Sequence, residues 1–133
     1  LFYDRLVLGI RNDSGLVCVR CNGSTDNSSS PIPDGQTTIL SLVVQSDGTY
    51  KVYANGAEVM SHKAPSAMTA LVPGVAGPYA TSVTVGRNAP DGWTTFNGDI
   101  GDVFVYKVAL STAERQQLEA LIAKSLVGEK PGQ

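Results

Sequence analysis

Charge is scarce in this chain of 133 residues: Asp, Glu, Lys and Arg make up 17% of it, against about 25% in an average soluble domain. The 10 Lys+Arg and 12 Asp+Glu leave a net charge of -2, so nothing draws in phosphate backbones or anionic lipid, and neither nucleic acid nor a membrane surface is an expected partner. Long apolar runs are missing too. None approaches the roughly 20 residues needed to cross a bilayer, and no charged-then-apolar leader precedes a small-residue cleavage site. The chain starts at Leu1 and enters a strand-like pattern almost at once, which reads as a piece of a longer polypeptide.

Histidine and cysteine are also nearly absent, and this narrows the chemistry. His62, Cys18 and Cys21 are the full set, too few for a zinc site, which takes about four ligands. Cys18 and Cys21 form a C-x-x-C in strand-like surroundings, whereas a redox motif sits at a helix N-terminus that lowers a thiol pKa. They read as structural thiols, with a local disulfide as the alternative. His62 reads as a loop histidine, and no Gly-x-Ser-x-Gly elbow presents a serine to it. No strand-Gly-x-Gly-x-x-Gly-helix unit cradles a nucleotide. Glycoside hydrolysis needs two carboxylates aimed at one bond. The nearest pair, Asp99 and Asp102, is three residues apart and faces opposite sides of a strand unless a bulge intervenes. The chain is therefore not expected to be an enzyme.

What is present is β-structure. Hydrophobic residues at 42% suffice for one continuous core. Leu6–Arg11 and Leu16–Arg20 flank the turn residues Asn12-Asp13-Ser14-Gly15 and predict a hairpin. Residues 22–35, rich in Ser, Asn, Pro and Gly, predict a long surface loop. Thr38–Val44, Thr49–Tyr53 and Ala57–Met60, joined at Ser46-Asp47-Gly48 and Asn55-Gly56, predict a three-stranded meander. Ser61–Tyr79, with three prolines, predicts an irregular crossing. Further strands are expected at Thr81–Gly86 and within Phe96–Tyr106, with a bulge at Gly101. At the end, Ser111 and Glu114 make a capping box, Gly128 and Pro131 stop a helix, and Leu118, Leu121, Ile122 and Leu126 share the face expected to lie on the sandwich. Together these predict an all-β fold, an antiparallel β-sandwich with one C-terminal α-helix. One domain over residues 1–127 is closed by the helix at 112–126, and 128–133 form a tail.

The segment Arg87–Asn97 holds the single tryptophan, Trp93, near Asp91, Asn97 and Asn88. A sugar offers a C–H face to an aromatic ring and hydroxyls to carboxylate and amide groups, so these four residues are candidate ligand-binding residues. In the alternative, Trp93 covers the sandwich edge while Asp91-Gly92 makes a turn. Asp99 and Asp102 are the candidate metal ligands, and calcium, which prefers 6 to 8 oxygens, is the one cofactor they could serve. Asp26-Asn27 is a second acidic position of this kind. No calcium-loop spacing accompanies either.

Several motifs, taken in order, resemble a known family. Leu42-Val43-Val44 leads to a Y-x-N-G hairpin at Tyr53-Ala54-Asn55-Gly56, and Val85-Gly86 matches a hydrophobic-Gly strand. Phe96-Asn97-Gly98-Asp99-Ile100-Gly101-Asp102-Val103 matches F-x-G-x-I-x-x-V, and Ala109-Leu110-Ser111-Thr112-Ala113-Glu114 matches A-L-S-x-x-E. From about Ser41 to Leu126 the chain resembles bacterial laminin-G-like domains of the concanavalin A-like lectin/glucanase superfamily. The resemblance implies a jelly-roll sandwich appended to a larger secreted or cell-surface protein, binding polysaccharide or packing against other domains of its parent. Complete members have strands before the point where this chain starts, which the Tyr3–Arg20 hairpin either replaces or leaves absent. The expected function is a non-catalytic, lectin-like module, the alternative a structural or protein-interaction domain without a glycan ligand.

Overall fold

A computed structural model of the chain describes residues 6–21, 24–63, 85–86 and 96–128. Two three-stranded antiparallel sheets and one helix make up these residues. The first sheet runs in the order β1 (Leu6–Ile10), β2 (Leu16–Cys21), β3 (Ser24–Pro31), and the second β4 (Leu40–Val44), β5 (Thr49–Ala54), β6 (Ala57–Lys63). The two sheets share one core. Val17 and Val19 of the middle strand β2 are buried with Tyr50 and Val52 of the middle strand β5 and Met60 of β6. The fold is thus the predominantly β sandwich expected from the sequence.

Local chemistry sets the hairpins. Asn55 (φ 48°) and Gly56 (φ 85°) both adopt left-handed backbone, the geometry of a two-residue turn that matches the twist of its flanking strands. Asn55 is tied further by two bonds to the segment before β4: its N–H donates to the Ile39 carbonyl and its Oδ1 accepts the Ile39 N–H, each at 2.9 Å. At the β4–β5 turn the Asp47 carboxylate accepts from the Thr49 N–H and hydroxyl, both at 2.9 Å, and these bonds, the backbone one foremost, hold it below the usual carboxylate range.

Three expectations are corrected, and of the two readings of the cysteines the disulfide is excluded. Part of the loop foreseen over 22–35 is the edge strand β3, Ser24–Pro31. Its sequence has no apolar alternation because most of the strand is exposed; only Ser28 is buried. A bulge between Leu16 and Cys18 interrupts the β2–β3 ladder, and the Ser28 hydroxyl accepts the Val17 N–H at 3.0 Å while donating to the Ser30 carbonyl. A serine there does what an apolar residue cannot. His62 lies on β6, opposite Tyr50, rather than in a loop. Cys18 and Cys21 lie three positions apart on β2, so their Cα atoms are about 10 Å apart at strand rise, beyond the span of a disulfide. Cys18 is a free, buried thiol, pushed up in pKa by that burial. Finally, residues 96–106 form no strand among the described residues, and their apolar residues Ile100, Val103 and Val105 are exposed. Most of the expected strand at 81–86 and of the crossing before it lies outside the described residues.

The helix α1 (Thr112–Gly128) starts at the expected capping box. The Ser111 hydroxyl accepts the Glu114 N–H, and the Glu114 carboxylate accepts the Ser111 N–H at 2.8 Å and its O–H at 2.6 Å. Its docking is only partly the expected one. Leu118 and Ile122 of the apolar stripe are half-buried, but the buried residues are Arg115 and Glu119, and Leu121 and Leu126 are 63% and 44% exposed. The cause lies in the sheet. On β4 and β5 the inward positions go to Leu42, Tyr50 and Val52, which leaves the cross-strand pair Ser41 and Tyr53 on the outer face, and a polar and aromatic surface selects polar partners.

Candidate functional site

Two polar clusters and one groove stand out among the described residues. In the first cluster the inner faces of the two sheets meet at their rim. Tyr50, 1% exposed, extends its hydroxyl from β5 to donate to the Asp26 carboxylate on β3. The other Asp26 oxygen faces His62 Nδ1 at 3.6 Å, and the His62 and Tyr50 rings stack at 6.2 Å. Asp26, which the sequence offered only as a possible calcium ligand, is thereby engaged in joining the two sheets.

The second cluster holds α1 on the outer face of the second sheet. Arg115 Nη1 donates to both Glu119 oxygens at 2.7 Å, and the Ser41 hydroxyl donates to Glu119 Oε1 at 2.6 Å. The Arg115 guanidinium lies 3.6 Å above the centre of the Tyr53 ring. A buried ion pair of this kind is tolerated when its remaining donors and acceptors are engaged. The signal in the sequence was the Arg115-to-Glu119 spacing of four, which puts opposite charges together on a helix; the leucine stripe masked it.

Beside this cluster an open groove of about 610 Å³ runs between α1 and the segment leading into β4. Glu119, Ala120, Ala123 and Leu126 line its helix side, and Thr37, Ile39 and Asn55 the other. A Cβ placed on Gly56 would stand 3.5 Å from Glu119 Oε2, so this turn passes close to the buried carboxylate.

Of the residues singled out in the sequence, Asn88, Asp91 and Trp93 lie outside the described residues. Asn97, Asp99 and Asp102 are exposed and in no strand or helix. Among the described residues no three His, Cys, Asp or Glu side chains gather as a metal site, and no helix is long and apolar enough to cross a membrane.

A family model described as the concanavalin A-like lectin/glucanases superfamily, Laminin_G_3, matches residues 4–114. The chain belongs to this superfamily. Membership reaches back through both sheets to the N-terminal hairpin, and it leaves catalysis open, since the superfamily includes lectins and glucanases alike. A search of curated proteins finds no match. Among solved structures, the laminin-G-like chain is similar to an S-layer domain-containing protein (residues 221–444) from Clostridium thermocellum, with a TM-score of 0.51 and 16% identity over 87% of this chain. The chain spans 63% of the length of that structure, and at this identity the likeness speaks for the fold. Both findings fit a domain of a larger protein.

Proposed function

We propose that this laminin-G-like chain is a non-catalytic, carbohydrate-recognising domain of a larger secreted or cell-surface protein. The observation that carries the reading is the family match across both sheets, and the S-layer neighbour is in keeping with a place at the cell surface. Six of the nine described carboxylates support it. A general acid for glycoside cleavage needs a raised pKa. Asp13, bonded by Arg11 and Ser14, and Glu114, bonded by Ser111, are instead held below their ordinary values. Asp26, Asp47, Glu58 and Glu119 are each engaged by a tyrosine, threonine, lysine or arginine.

In this proposal Trp93 stacks on the sugar and Asp91, Asn97 and Asn88 bond its hydroxyls, with calcium at Asp99 and Asp102 as the candidate ion. Calorimetric titration with soluble plant, algal and host glycans, in calcium and in chelator, tests it on the wild type and on Trp93→Ala. Binding that weakens in a folded Trp93→Ala protein is the expected result. Loss of binding in chelator would assign the ion. Silence across the panel would favour the second reading, a protein-interaction domain, which rests on the exposed apolar residues Val103, Phe104, Val105, Tyr106 and Val108.

A further inference from the structure

We propose that the groove between α1 and the β5–β6 turn is a second saccharide-binding site, separate in sequence from the Trp93 segment. This rests on the carbohydrate-binding reading and assigns it a place in the described fold.

Glu119 supplies the acceptor. It is 8% exposed yet lines the groove, and its charge is balanced by Arg115 at 2.7 Å. A carboxylate already paired in this way is unsuited to a cation but keeps lone pairs for hydroxyl donors. Arg115 and the Ser41 hydroxyl fix its orientation before a ligand arrives, which lowers the ordering cost of binding.

Asn55 supplies the donor. Its Oδ1 is taken by the Ile39 N–H at 2.9 Å, so the amide NH2 is the end that remains to donate. Thr37 adds a hydroxyl on the same side.

Between these polar groups Ala120, Ala123 and Leu126 from the helix face Ile39. The two alanines keep the strip low enough for a flat ligand to approach the helix. A pyranose has this combination, hydroxyls at its edge and a C–H face. The groove volume, about 610 Å³, lies in the range of roughly 300–1,000 Å³ typical of ligand sites. The helix side lies past residue 114, where the family match ends.

The test is titration of the whole chain with soluble β-glucan, xylan and chitin oligosaccharides, comparing the wild type with Ala123→Trp, Asn55→Asp and Trp93→Ala. Ala123→Trp fills the groove from an exposed helix position. Asn55→Asp keeps the oxygen that Ile39 requires and tolerates the left-handed backbone, but removes the donor. Expected in both groove variants are loss of one of two binding components, weakened about tenfold or more, and unchanged melting temperatures, with shifts of the Ala120 and Ala123 amide resonances when sugar is added to the wild type. Wild-type affinity in both folded groove variants would overturn the site, and would leave the carbohydrate reading standing if Trp93→Ala abolished binding. No binding by the wild type to any of the oligosaccharides would overturn the site and the reading together.

Discussion

At Tyr50 the ring and the hydroxyl have separate tasks. The ring fills the core between the sheets, while the hydroxyl reaches Asp26 on the opposite sheet. Tyr50→Phe keeps the first task and removes the second. A hydrogen bond to a charged group contributes about 1.5–3 kcal/mol, and Asp26 retains His62 and some access to water. The variant is therefore expected to lose about 1–2 kcal/mol in urea unfolding with little change in denaturant slope. A second prediction concerns Glu114, which the Ser111 hydroxyl and N–H hold below its ordinary 4.5. A depressed carboxylate contributes stability that is present above the unfolded value and lost as pH falls through the folded one. The thermal midpoint should thus decline on acidification below pH 4.5, and Glu114→Gln, which lacks the titrating group, should show a shallower decline over the same window.

Among the elements, what the sequence made legible was what short-range chemistry decides. Asn55-Gly56 specified its turn through φ, Ser111 and Glu114 specified the helix start, and the alternation in Thr49–Tyr53 specified β5. Strand β3 was not legible because an edge strand with one buried serine carries no apolar period. The helix face was legible only in part: its docking depends on Ser41 and Tyr53, far away in sequence, and a stripe of leucines says nothing about the surface opposite. Of the candidate site, the Trp93 proposal rests on sequence alone, since that segment lies outside the described residues, whereas the groove needed tertiary structure to bring Asn55 beside Glu119. The docking cluster makes its own prediction. Arg115→Ala leaves the Glu119 charge buried and unpaired, a loss of about 3–5 kcal/mol, seen as a lowered unfolding midpoint or a detached helix. The double variant Arg115→Leu with Glu119→Leu removes both charges and should recover most of that loss, because a buried ion pair exchanged for apolar groups is often neutral.

At the scale of the molecule, the described residues form two sheets joined through Val17, Val19, Tyr50, Val52 and Met60, and the proposal is that this scaffold holds a ligand rather than transforming one. That is the central claim, and it has two halves, recognition and the absence of catalysis. Both are read in a single experiment: the chain is incubated with soluble polysaccharides from plant, algal and host sources, and the bound fraction and the reducing ends released are measured in the same sample. The account predicts saturable binding to at least one polysaccharide with reducing ends at the level of a protein-free control. Reducing ends that accumulate in proportion to the protein would contradict it by showing a glycanase, and a folded protein with no bound fraction on any polysaccharide would contradict the recognition itself.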